Sequence, residues 1–176
     1  MTTSFHIAPL VYEPEIITAL SDLLIETVEH GGSVSFMHPL QEQVATSFWK
    51  SAINSAIAGE RLVLGAFEGA YLVGTVTLML NCPPNQPHRA EIAKMMVRVT
   101  HRGQGIGRAL LKAAEQQALQ RDKWLLTLDT AEEDGGAELY EKFGFQKVGV
   151  IPDFALKPHG GLTATVIYYK KLGSGE

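Results

Sequence analysis

KMMVRVTHRGQGIGRALLKAAEQQ, residues 94–117, runs from an apolar strand-like segment through three alternating glycines into an amphipathic helix. Glycine costs a helix roughly 1 kcal/mol relative to alanine, so Gly103, Gly105 and Gly107 at a helix start need a reason. A turn of this kind leaves backbone N–H groups unpaired at the helix N-terminus. With the helix dipole they form a site for phosphate, and glycine lets the anion approach. Ile106, Leu110, Ala113 and Ala114 supply the helix's core face, while Arg102, Arg108 and Lys112 place positive charge near its start. The P-loop spacing GxxxxGK[ST] is absent. GxGxxG fails from either glycine, because the sixth residue is Arg108 or Leu110. The frame present is R-x-x-G-x-G, Arg102–Gly107. A tight strand–helix connection with no ligand is the alternative reading of the same glycines.

The flanking segments complete a strand–helix–strand unit. RAEIAKMMVRV (89–99) reads as the strand before the glycines, and KWLLTLDT (123–130) as a short buried strand after the helix. The two are expected to be parallel, joined by a right-handed connection. Upstream, SFHIAPLVY (4–12) reads as a strand and EIITALSDLLIETVEHGG (15–32) as a helix stopped at Gly31. A second helix is predicted around 41–58, with Val44, Phe48, Ala52, Ile53 and Ile57 on one face. RLVLGAFE (61–68) and YLVGTVTLML (71–80) flank Gly69-Ala70 as a hairpin. NCPPNQPH (81–88), with its prolines, reads as a surface loop. Downstream come a short helix around 135–143, ended by Gly144, and two strands, 145–151 and 164–172, across a loop 152–162. The order β α α β β β α β α β β predicts one α+β domain over 1–176, with seven strands and four helices.

Apolar residues make up 45% and charged residues 19% of the 176, which fits a folded chain with a core. The net charge of -4 gives no general field for nucleic acid or an anionic membrane. No apolar run approaches a membrane span, and MTTSFHIAPLVYEPE lacks the basic and apolar regions of a signal peptide. Cys82 is the single cysteine, as expected for a reducing cytoplasm. The six histidines show no metal spacing, so no metal is proposed.

The segment Arg102–Gly107 between strand and helix, followed by AELYEKFGF (137–145), resembles the GNAT superfamily of acetyl-CoA-dependent N-acyltransferases. The resemblance covers most of the chain. It implies a mixed sheet of about seven strands splayed at its middle, flanked by four helices. It also implies that the main chain of Arg102, Gly103, Gln104, Gly105, Ile106, Gly107 and Arg108 cradles the coenzyme A pyrophosphate, and that Met95, Met96 and Val97 pair with the pantetheine arm. The common form carries Asn and Ala seven and four residues before the tyrosine, where this chain has Glu133 and Gly136. LLTLDT, GGSVSFMHPL and GVIPDFALKPHGGLTATVIYYKKL are similar to the tabtoxin-resistance type of acetyltransferase.

Acetyl transfer needs a base, an oxyanion donor and an acid for the leaving sulfur. Glu91 and Asp129 lie on the two strands expected to splay, and each either faces the cleft or points to solvent or a turn. The resemblance gives Val97 N–H the oxyanion role and Tyr140 the acid role, although a tyrosine with Ala137 and Phe143 at helical spacing also reads as core. The substrate wall is expected from 31–40 and 152–161, with Phe36, His38, Asp153 and Phe154 as contacts. That composition suits a small amine of amino-acid type. A protein N-terminus, a polyamine bound at Glu132-Glu133-Asp134, a nicotinamide or nucleotide enzyme, and an acetyl-CoA sensor are the alternatives. Residues 163–172 carry apolar side chains on both faces, so a homodimer through this strand and a strand buried in the monomer both fit.

Overall fold

The computed structural model describes residues 4–173; the outermost residues of the expected domain, 1–3 and 174–176, lie outside the described residues. The elements are β1 (His6–Pro9), α1 (Pro14–Glu29), α2 (Glu42–Ile57), β2 (Arg61–Glu68), β3 (Tyr71–Met79) and β4 (Arg89–Val97). After a single 3₁₀ turn, Val99–His101, come α3 (Ile106–Leu119), β5 (Leu125–Ala131), α4 (Gly136–Lys142), β6 (Gln146–Leu156) and β7 (Leu162–Lys171). Pro14 occupies the first turn of α1, where its missing N–H costs nothing, and Gly31 follows the helix at φ 86°. Gly69 allows the tight β2–β3 hairpin, with Glu68 opposite Tyr71.

The strands form one sheet in the order β1-β2-β3-β4-β5-β7-β6. Its two faces bury two separate cores. Leu110, Leu111 and Ala114 of α3 pack on Val76, Leu126 and Leu128, joined by Tyr140 of α4. Leu20, Leu24, Trp49 and Ile53 of α1 and α2 pack on Val63 and Met96 from the other side. Arg98, with only 6% of its surface exposed, ties α1 to the sheet by donating to the Leu72 and Ala19 carbonyls beside Glu26.

Two irregularities in β4 shape everything that follows. First, β4 and β5 are parallel and pair only over Arg89–Glu91 with Leu125–Thr127. Beyond those pairs the strands diverge, and β5 pairs instead with β7 along its whole length. The expected splay is therefore a V with its apex at Glu91 and Thr127. Second, Thr75 and Thr77 of β3 face Met96 and Ala93, so β4 carries one extra residue. Lys94 sits in that bulge at φ 52°. Ala90 and Ile92 point to the α3 core before the bulge, whereas Met96 points to the α1–α2 core after it. The bulge exchanges the faces of the strand.

The C-terminal strands differ from expectation in extent and role. β6 continues through Pro152 to Leu156, leaving 157–161 as the connection. An edge strand tolerates proline, and the shift in register between Ile151 and Ala155 absorbs the unpaired stretch. β7 lies between β5 and β6, with Val166 and Tyr168 buried, so it has no free edge for a second copy. The apolar residues on its inner face belong to the monomer core.

Candidate active site

The V between β4 and β5 opens into a cleft of about 980 Å³ that reaches both faces of the sheet. On the α3 side it meets the glycine loop; on the other it meets the α1–α2 loop, residues 31–37.

The glycines of the loop have different reasons. Gly103 and Gly105 adopt φ 73° and 83°, and a Cβ on either would meet nothing within 4 Å. They are glycine for backbone conformation, and the space above them is open. Gly107 is helical, and its Cβ would press on Leu139 of α4 at 3.1 Å. It allows α3 and α4 to approach, and its main chain also lines the cleft. Gly105 is the N-cap of α3 with no side-chain cap, and the first intrahelical bond is from Ala109 to the Gly105 carbonyl. The N–H groups of Ile106, Gly107 and Arg108 thus lack intrahelical acceptors. Arg102 donates to the Val97 carbonyl at 3.3 Å, and the Arg108 guanidinium stands 6.0 Å over the Phe143 ring. Gln104 does not line the cleft; its side chain turns back to the Thr100 carbonyl.

Along β4, the Arg98 N–H donates to the Val73 carbonyl of β3 at 2.8 Å. Successive N–H groups alternate between strand edges, so those of Val97 and Met95 point into the V. An arm carrying amides could pair with this edge as a strand would. Met95 and Val97 line the cleft, whereas Met96, though it reaches the cleft wall, is mostly buried in the α1–α2 core.

Glu91 and Asp129 both line the cleft near its apex. Arg89 forms an ion pair with Glu91 at 3.6 Å, outside hydrogen-bond range, so the Glu91 oxygens keep room for a donor. Asp129 accepts a hydrogen bond from the Thr165 hydroxyl at 2.8 Å, which fixes its orientation. Tyr140 is core-facing through its ring, packed edge-on to Phe145, and the residue also lines the cleft. Among the described residues no group hydrogen-bonds that hydroxyl. Burial, aided by the Asp129 charge, pushes its pKa up to about 12, so it stays a neutral phenol that can donate.

The substrate wall is half as expected. Phe36 and Phe154 line the cleft, but His38 and Asp153 do not. His38 packs against His159 with tilted rings, centroids 4.3 Å apart, and its main-chain N–H donates to the Pro158 carbonyl. It fastens the α1–α2 loop to the β6–β7 loop. Asp153 sits at φ 52° in the irregular part of β6, exposed. A second fastening comes from Asp134, which accepts the Ser33 N–H at 2.8 Å, and a third from Lys157 with Glu133 at 2.6 Å. Sequence reasoning missed Lys94, Ser35 and Thr165. Only Lys94 left any mark in the sequence, as a charge inside an apolar run.

These features fit coenzyme A: orphan N–H groups at α3, open space over two left-handed glycines, and an unpaired strand edge leading to two carboxylates. Residues 24–145 match the family model described as Acetyltransferase (GNAT) family. Rat N-acetyltransferase 8 is 35% identical over 86 residues, which are 48% of this chain and 39% of that protein. The chain thus spans about two fifths of the length of the curated relatives it matches. An N-acetyltransferase from Staphylococcus aureus Mu50 superposes with a TM-score of 0.79 at 16% identity, covering 96% of this chain and 99% of that one. The yncA protein of Salmonella typhimurium, solved with its cofactor acetyl-CoA, superposes at 0.75 with 15% identity, covering 96% and 95%. Fold, glycine frame and family match agree: this chain belongs to the GNAT acetyltransferase family.

Proposed function

We propose that the chain transfers acetyl from acetyl-CoA directly to the amine of a small, amino-acid-like molecule. The observation that carries this reading is the V itself. Its unpaired β4 edge runs from the orphan N–H groups of α3 to the carboxylate of Glu91. Bound acetyl-CoA would supply an activated acetyl group; transfer forms one C–N bond and breaks one C–S bond. Glu91 takes the proton given up by the amine, directly or through a water. Asp129, held by Thr165, orients the amine. The main-chain N–H of Met95 donates toward the carbonyl oxygen. Met95 replaces Val97 in this role because it lies nearer the base, ~13 Å along the strand from Glu91 against ~20 Å for Val97. Tyr140 returns a proton to the departing sulfur.

A coenzyme A release screen over free amino acids, amino-acid antimetabolites of the tabtoxin type, polyamines, aminoglycosides and peptides tests the assignment. Turnover confined to peptides or polyamines overturns it. The structure weakens the polyamine reading, since Glu133 and Asp134 of the acidic patch already hold Lys157 and Ser33. The cleft carboxylates favour an enzyme over an acetyl-CoA sensor. A toxin-resistance role is the narrower form of the proposal, and the unpaired Cys82 suits a cytoplasmic setting.

Tyr140→Phe is expected to lower kcat on the order of 10²-fold while acetyl-CoA binding holds. A phenol at about 12 contributes no alkaline limb to the pH–rate profile below pH ~10, so the variant should keep the wild-type profile shape there. An alkaline limb near pH 8 that vanishes in Tyr140→Phe would refute the raised pKa but keep the acid role, whereas an unchanged kcat in Tyr140→Phe would refute the acid role. A homodimer would pair through the edge strand β6, whose Val148, Val150 and Phe154 are exposed, rather than through β7. Light scattering that returns only 19.2 kDa at micromolar concentration removes it.

A further inference from the structure

Lys94 takes no part in the transfer described above, yet the fold goes to some length to place it. Strict alternation would put its side chain on the face of Ala90 and Ile92, in the apolar core beneath α3. The extra residue in β4 turns it instead onto the opposite face, at a φ of 52° that non-glycine residues seldom adopt. There it lines the cleft beside the α1–α2 loop. Its ammonium has three donors, of which Ser35 Oγ accepts one at 3.1 Å, and the Phe48 ring lies 5.7 Å away. None of the ion pairs among the described residues includes it. The carboxylates whose charges act on it are Glu91 and Asp129, which line the same cleft near its apex, and the other cation that acts on it is Arg61. Burial lowers the Lys94 pKa from the ordinary lysine value, and Asp129 opposes that shift. Desolvating an ammonium is costly, and a ligand carboxylate that reached its remaining donors would offset that cost.

We infer that the acceptor carries a carboxylate and that Lys94 binds it, while Glu91 and Asp129 face its amine. Near the apex of the V the cleft then sets the Lys94 ammonium beside the Glu91 and Asp129 carboxylates, matching a free amino acid rather than a simple amine, an amino-acid amide or a polyamine. This rests on the transfer reading above, and the experiment separates the two.

Acetyl-CoA-dependent turnover is measured over the proteinogenic amino acids and, in parallel, their carboxamides, with wild type, Lys94→Met, Lys94→Gln and Lys94→Arg. The wild type should favour the acid over its amide in kcat/KM on the order of 10²-fold. The ratio should collapse toward unity in Lys94→Met and Lys94→Gln and largely survive in Lys94→Arg. Because the ratio is internal to each variant, a general loss of folded protein does not move it. Equal use of acids and amides by the wild type, or a preference that survives Lys94→Met and Lys94→Gln, overturns the inference. Calorimetric titration of N-acetyl amino acids and N-acetyl amino-acid amides, with coenzyme A present, reads the same contact without turnover. If nothing is acetylated here or in the coenzyme A release screen above, the transfer reading fails. Lys94 then stands only if the N-acetyl acids bind more tightly than the amides in the wild type and not in Lys94→Met; equal or absent binding refutes it.

Discussion

Glu91→Gln is expected to lower kcat by 10²- to 10⁴-fold, the range for losing a positioned general base, with the acetyl-CoA dissociation constant unchanged. The substitution keeps the side chain's size and removes only its capacity to hold a proton. Glu91 is assigned the larger effect because Arg89 stands outside hydrogen-bond range, whereas Asp129 has one oxygen engaged by Thr165. Asp129→Asn should therefore cost about tenfold, as an orienting group bound to one partner of a small network. Single-turnover measurements separate chemistry from binding and release. Full turnover by Glu91→Gln across pH 6 to 9 would move the proton to Asp129 or to solvent.

Gly105→Val should abolish stabilisation by acetyl-CoA. Ligand at 100 times its dissociation constant stabilises a native state by ~2.7 kcal/mol, and that gain should be absent from the variant's melting curve. Two effects act together. A β-branched residue at φ 83° strains the N-cap, at a cost on the order of 1–2 kcal/mol. Its side chain also projects into the open space above the loop, where the phosphates would lie. The apo variant should still fold at a reduced melting temperature, because a Cβ there meets no protein atom within 4 Å. Gly107→Val separates the causes: it crowds Leu139 and should disturb the α3–α4 contact first. If NADH raises the wild-type melting temperature and acetyl-CoA does not, the cofactor assignment is wrong.

The framework was legible because its signals are local. Periodicity and punctuation marked seven strands and four helices, and the Gly69-Ala70 turn marked a hairpin. The position of the glycine loop between strand and helix carried the family resemblance. What escaped depends on pairing between distant segments. Nothing in KMM announces a bulge, since the residue at φ 52° is a lysine rather than a glycine. The face assigned to every later residue of β4 follows from that one insertion. Pro152 reads as a strand breaker, yet an edge strand with an irregular register accommodates it. His38 sits in the right loop but is claimed by His159, a partner that only the tertiary fold supplies. Gly107 was grouped with its neighbours by spacing, although helix packing explains it.

The V also bears on self-association. A strand edge with unpaired N–H groups normally invites another chain to add itself, and proteins guard such edges with charges, prolines or covering segments. Here the exposed edge lies at the centre of the sheet, on Met95 and Val97. The three residue pairs at the apex close the V at one end, and the loops fastened through Asp134, His38 and Lys157 roof it at the other. An intruding strand would need to thread between these closures, whereas a slender flexible arm can enter from the side. The same divergence that leaves room for a ligand therefore keeps the protein's most adhesive backbone out of reach of its own copies.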